Sequence, residues 1–225
     1  MFNVKQILGC VATLAIVSLP TQASQLVLDS FNYAPAIELQ ATPALGSQVI
    51  NTTAQSAESG AFADYTLTWL SGQGTESLDA NAFGSGSLSY GEGPLVDGTL
   101  NIDYSLPGGT PIDFTGYSDV YFDVLAIDGS GGFDVMLTLQ DSDGTLISAS
   151  YNVSSTGMFL ASFASMMPGP DFDFSLVQSL SAFITSDGNG DDFSLDSVGL
   201  VPEPSALAIL GLGLIGLGLR RRKLV

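Results

Sequence analysis

The sequence predicts an all-β body: two antiparallel sheets packed as a jelly-roll-like β-sandwich, with an apolar segment at each end of the chain. Three observations predict it. About eleven short runs rich in Val, Ile, Leu, Phe, Tyr and Thr follow one another through residues 24–200, separated by clusters of Gly, Asp, Asn, Ser and Pro. Many of these runs alternate apolar and polar residues with period two, as half-buried strands do. No long stretch of helical period and no strand–helix–strand rhythm occurs before Ser205, which argues against α/β architectures.

Taken in order, the expected strands are 25–31, 47–51, 62–70, 87–90, 99–105, 119–127, 133–140, 145–153, 158–163, 179–185 and 193–200. Within 119–127, Val120, Phe122, Val124 and Ala126 fall on one face. Within 133–140, Phe133, Val135, Leu137 and Leu139 oppose Asp134, Met136 and Thr138. Asp141-Ser142-Asp143-Gly144 has turn composition between two such runs and predicts a hairpin. Residues 171–178 are the one place where a helical turn is expected. A body of about 177 residues can bury enough apolar surface to fold without disulfides.

Charge narrows the chemistry. The 225 residues include 23 Asp and Glu, 5 Lys and Arg, no His and one Cys, for a net charge of −18. All five cations lie at the ends (Lys5, Arg220, Arg221, Arg222 and Lys223), and residues 24–200 hold 22 acids and no base. Such a body cannot neutralise phosphates, so nucleic-acid binding is excluded. Without His there is no Ser-His-Asp triad, no His-ligated zinc and no His general base. Cys10 lies in the apolar N-terminal run, which leaves the body without thiol chemistry.

Residues 1–23 read as a secretory signal handled by the secretion translocon. Lys5 supplies the positive start, residues 7–19 the apolar run and Pro20 its break; Thr21-Gln22-Ala23 then offers a cleavage site after Ala23. The other end has three adjoining parts: Pro202-Glu203-Pro204, an apolar stretch over 205–219, and Arg220-Arg221-Arg222-Lys223. Fifteen helical residues span about 22 Å, short of a hydrocarbon core of about 30 Å. The basic cluster would stop transfer, and Gly211, Gly213, Gly216 and Gly218 suit close packing in a membrane.

This three-part C-terminus resembles the PEP-CTERM sorting signal of exported proteins in Gram-negative bacteria that make extracellular polysaccharide. The resemblance implies a transient inner-membrane anchor and processing by an exosortase, an integral-membrane cysteine protease cutting near Pro202-Glu203-Pro204. It implies delivery to the cell surface or extracellular matrix. The chain then divides into 1–23 (signal peptide), 24–200 (sandwich) and 201–225 (sorting signal). More loosely, the body resembles galactose-binding-like jelly rolls of carbohydrate-binding modules. The similarity rests on Leu28-Asp29-Ser30-Phe31, on residues 114–124 and on residues 192–200.

Two uses of the carboxylates are open. Asp187, Asn189 and Asp191 place oxygen ligands at alternate positions of a Gly-rich loop, as the opening of a calcium loop does. The EF-hand pattern then fails, with Asp192 at its sixth position and Val198 at its twelfth, so backbone carbonyls and a distant carboxylate would have to complete the site. Asp141 and Asp143 form a weaker candidate, and solvated turn residues are the plain alternative for both. A carboxylate pair could also hydrolyse glycosides, but no local motif singles one out. Trp69 shares a face with Tyr65 and Leu67, a core pattern, while Tyr90, Tyr104, Tyr117, Tyr121 and Tyr151 suit either core or sugar stacking. The expectation is a non-enzymatic surface or matrix protein associated with extracellular polysaccharide, with calcium as a possible bridge. A secreted glycan hydrolase and a ligand-free envelope protein are its alternatives.

Overall fold

A computed structural model describes residues 25–42, 49–55, 60–80, 86–105, 110–128, 131–166, 169, 171–186 and 192–203. Thirteen strands form: β1 Leu26–Asp29, β2 Ile37–Ala41, β3 Val49–Gln55, β4 Phe62–Ser71, β5 Glu76–Ala80, β6 Leu88–Glu92, β7 Asp97–Ser105, β8 Tyr117–Asp128, β9 Phe133–Asp141, β10 Leu146–Val153, β11 Gly157–Ser162, β12 Val177–Thr185 and β13 Asp192–Pro202.

The strands make two antiparallel sheets. The first has the order β11-β8-β13-β6-β5-β2, with β1 also paired to β13. The second runs β10-β9-β12-β7-β4-β3. The architecture is the all-β two-sheet sandwich that the alternation predicts. Period two is realised along β9, where Phe133, Val135, Leu137 and Leu139 are buried and Asp134 and Met136 exposed. Along β8, Val120, Phe122 and Val124 turn inward, while Ala126 is exposed because the pairing with β13 shifts between Ser194 and Leu195. The inner faces of both sheets meet in one core around Leu67, Leu100, Ile102, Phe122, Leu137 and Ile184.

β2 and β5 are strands beyond those expected. β2 alternates cleanly, with Ile37, Leu39 and Ala41 buried between exposed Glu38 and Gln40, but its brevity and neighbouring prolines disguise it. β5 carries two acids in five residues and forms because β2 and β6 pair with it on either side. The helical turn expected at 171–178 is a single 3-10 turn, Phe174–Leu176, capped by the Asp173 side chain on Ser175 N. A second 3-10 turn at Phe163–Met166 follows β11, with Ser162 Oγ accepting from Ala164 N at 3.3 Å.

β9 and β10 form the expected hairpin. Asp141 is buried at its base and accepts from Thr145 N at 2.8 Å, Asp143 N at 3.3 Å and Asp173 N at 3.0 Å. Asp143 accepts from the Thr145 hydroxyl at 2.8 Å. Both carboxylates are therefore held as turn anchors. The body enters through β1 and leaves through β13, and the two lie antiparallel with Leu26 opposite Leu200.

Candidate functional site

An aromatic pocket opens where β8 begins and β13 ends. Its walls come from four stretches of chain, one of them Glu203 just past the end of β13. The first is the turn before β8, where Asp113 accepts from Thr115 N at 2.8 Å and from the Thr115 hydroxyl at 2.6 Å. These bonds favour the ionised carboxyl, the side-chain bond most, and hold Asp113 below the usual carboxylate range. The second is the 3-10 turn after β11, and the third is the 3-10 turn before β12. Backbone bonds tie the first to the third: Ile112 N to Val177 O at 2.8 Å and Phe114 N to Phe174 O at 2.8 Å.

Four rings line the resulting space of about 430 Å³: Phe114, Tyr117, Phe163 and Phe174. Phe114 stacks on Phe163 with centroids 5.8 Å apart, and Phe163 meets Phe174 at 5.7 Å. Phe114 and Phe163 are buried, whereas Tyr117 and Phe174 are half-buried and present ring surface. Thr115, Ser118, Ser162 and Glu203 bring hydroxyls and one carboxylate to the same space. Rings beside a few convergent polar groups, in a volume within the usual ligand range of roughly 300–1,000 Å³, are what a small-molecule site requires.

A second concavity, of about 340 Å³, crosses the first sheet. Small side chains make it: Ser77 on β5, Ser89 and Gly91 on β6, Ser194 on β13 and Ala126 on β8. Asp128 and Asp192 stand directly opposite each other in the β8–β13 register, like charges in a pairing that repels. Asp192 Oδ1 also accepts from Glu92 N at 2.9 Å. Glu92 is nearly buried and takes hydrogen bonds from Tyr90 Oη at 2.5 Å, Ser186 Oγ at 2.8 Å and Gly98 N at 3.1 Å.

The structure distributes the sequence candidates as follows. Pro202 ends β13 opposite Tyr117, and Glu203 lines the aromatic pocket. Ala23, Asp187, Asn189, Asp191, Pro204, the 205–219 stretch and Arg220 to Lys223 lie outside the described residues. Among the described residues, no group of three or more acidic or sulfur side chains is arranged to hold a metal, and no helix is long and apolar enough to cross a membrane. Trp69 packs against the core, Tyr90, Tyr104 and Tyr121 are buried, and Tyr151 is half-buried and donates to Ser162 O at 2.8 Å. Tyr117 alone of these tyrosines lines the aromatic pocket. Phe163 and Phe174 are the site residues that sequence reading misses. Their signal is a concentration of Phe at 159, 163, 172 and 174 around Met166-Met167-Pro168-Gly169-Pro170, where strand alternation stops.

Residues 200–223 match the family model described as the PEP-CTERM protein-sorting motif. The chain carries a PEP-CTERM sorting signal. It is thus an exported protein directed to an exosortase and anchored transiently in a membrane. The PEP-CTERM segment begins at Leu200, inside β13, so motif and sandwich share residues. No curated protein matches the chain. Among solved structures, it is similar to the family 11 carbohydrate-binding module of a cellulosomal cellulase of Clostridium thermocellum (18% identity, 80% of this chain and 95% of that chain covered, TM-score 0.40). It is also similar to a family 30 carbohydrate-binding module of a cellulosomal cellulase of the same organism (15%, 74% and 98%, TM-score 0.39). A third similarity is to the xyloglucanase domain of a type three effector from Sinorhizobium fredii (9%, 73% and 99%, TM-score 0.42).

Proposed function

We propose that the body is a non-catalytic glycan-binding domain, which its PEP-CTERM signal delivers to the cell surface or extracellular matrix. The observation that carries this reading is the aromatic pocket. Sugars offer C–H faces that pack on rings and hydroxyls that seek acceptors and donors. Half-buried Tyr117 and Phe174 supply the first, and Thr115, Ser118, Ser162 and Glu203 the second. Glu203 is the one acid among the residues lining the pocket, whereas glycoside hydrolysis ordinarily needs two carboxyls about 5–10 Å apart. The body also lacks imidazole, thiol and amine side chains. This favours retention of a polysaccharide over turnover of one.

Calcium belongs to the same proposal. Asp187, Asn189 and Asp191 fall between β12 and β13 in the sequence, just ahead of Asp192, which faces Asp128. A divalent cation there would relieve carboxylate repulsion and could bridge acidic polysaccharide to the protein.

A glycan array probed with the purified body, with and without calcium, tests both parts. Binding is expected to at least one extracellular glycan and to be lost in Tyr117→Ala/Phe174→Ala. Absence of binding under both conditions would leave a ligand-free envelope protein as the better description.

A further inference from the structure

We propose that the body pairs with a second copy of itself along β11, which extends the first sheet across both molecules.

β11 is an edge of the first sheet and, among the described residues, pairs with β8 alone. An edge strand carries an unpaired row of N–H and C=O groups, which proteins ordinarily protect with a charge, a proline or a bulge. β2, at the other end of the strand order, follows that rule: it carries exposed Glu38 and begins two residues after Pro35. β11 has none of these devices. Its sequence, Gly157-Met158-Phe159-Leu160-Ala161-Ser162, holds no charge and no proline, and its register with β8 runs unbroken from end to end. Met158 and Leu160 share its outer face, 55% and 47% exposed. Phe159 between them turns inward and meets the Tyr151 ring edge-on at 6.0 Å.

Charge decides what covers this edge. Residues 24–200 hold 22 acids and no base, yet no acid occurs between Asp143 and Asp171, the longest such interval in the body. That interval supplies β10 and β11, an edge of each sheet, which Tyr151 Oη joins by donating to Ser162 O at 2.8 Å. One flank of a polyanion is left neutral. A basic partner would be drawn to the acidic faces instead, whereas a second copy is repelled from those faces and meets least repulsion here. The acids that pair across to this flank are Asp119 and Asp123 on β8, opposite Ser162 and Met158, and Asp134 on β9, opposite Asn152. Joining β11 to its copy separates the two Asp123 backbones by three strand spacings, about 14 Å, beyond a Debye length of about 8 Å at physiological salt.

Side-chain direction fixes the register. Residues directly opposite in an antiparallel pair point to the same face, so Met158 must meet an outer residue of the second copy. A twofold axis at Phe159 sets Met158 against Leu160 of the second copy, twice, and covers both exposed side chains. The same axis places the two Ser162 residues about 20 Å apart. Ser162 and Phe163 line the aromatic pocket, so the dimer offers two pockets to one polysaccharide chain, a consequence that rests on the glycan-binding reading.

Ala23–Pro204 is a compact unit with its own core and is tested as such. Sedimentation velocity in EDTA, over a wide range of concentration, should show a reversible dimer that sodium chloride strengthens by screening the remaining repulsion. Leu160→Glu should weaken association by about tenfold or more. Leu70→Glu adds the same charge at a comparably exposed residue of β4 (49%) and should leave association within about twofold, with both melting temperatures unchanged. Hydrogen exchange of the parent protein should show protection of residues 157–161 that rises with concentration. A monomer at every concentration and salt would overturn the inference and leave the edge for a strand of another chain. Equal weakening by both variants, or protection that rises at another edge, would overturn it too. A dimer that binds no glycan on the array would remove only the two-pocket consequence.

Discussion

The Tyr65 hydroxyl donates to Asp29 Oδ2 across 2.7 Å, and both side chains are fully buried. Asp29 also accepts from Phe31 N at 2.7 Å and from the Tyr33 hydroxyl. The bond to Phe31 holds a residue with φ +53° in the left-handed region. Burial, together with the neighbouring Tyr104 and Asp29, pushes the Tyr65 phenol well above its ordinary value, so it stays a donor at every physiological pH. Hydrogen bonds of this kind staple β1 in the first sheet to β4 in the second.

Removing the carboxylate strands several donors at once. Asp29→Ala is expected to cost about 3–5 kcal/mol, and Tyr65→Phe about 1–2 kcal/mol. Urea unfolding measures both. A loss below about 1 kcal/mol for Asp29→Ala would show that the cluster is not a staple.

Glu92 gives the fold a pH signature. Burial raises its pKa above the ordinary 4.5, against the opposing bonds from Tyr90, Ser186 and Gly98. The folded state then holds the proton more tightly than the unfolded chain. Its contribution is complete below pH 4.5 and is lost as pH rises through the elevated folded value. Glu92→Gln should flatten melting temperature against pH in that window and raise it at neutral pH. An unchanged profile would argue against this assignment.

Gly199 is required by close approach. A Cβ there would meet Leu26 O at 2.3 Å and the Tyr121 ring at 2.5 Å. Gly199→Val should therefore destabilise by about 3 kcal/mol or more, through β1 displacement and a shifted Tyr121 ring, visible in thermal unfolding. A variant that melts like the parent would mean that β1 does not lie along β13.

The pocket can be probed without unfolding the body. Glu203→Gln removes a charge at the pocket rim and should weaken binding of a glycan identified on the array by about threefold to tenfold, with the melting temperature unchanged. Phe174→Ala removes a half-buried ring and should weaken it by about tenfold. Isothermal titration reads both. Equal affinity in all three proteins would place the glycan elsewhere.

Salt should stabilise the body, since 22 carboxylates in residues 24–200 face no cation. Calcium should raise the melting temperature beyond sodium at matched ionic strength, and Asp187→Asn/Asp191→Asn should abolish the excess. Equal effects of the two ions would reduce calcium to general screening.

What was legible follows from range. Alternation in 133–140 is a local property, so β9 and its hairpin can be read directly. β5 cannot, because neighbouring strands rather than its own composition make it a strand. Asp29 falls within an expected strand, but only the Tyr65 hydroxyl, distant in sequence, accounts for its burial. The repulsion between Asp128 and Asp192 exists only through strand pairing. The pocket assembles Phe114, Phe163 and Phe174 from three stretches, whereas the sorting signal is contiguous and needs no fold to be recognised.

The antiparallel placement of Leu26 against Leu200 gives the sandwich two distinct ends. Both ends of the body emerge at one pole, beside Tyr117, Glu203 and the aromatic rings. Asp128, Asp192 and Ser186, the last two flanking the Gly-rich loop, occupy the other. The rings and the facing carboxylates thus lie at opposite ends of β8, so a change at one leaves the other in place.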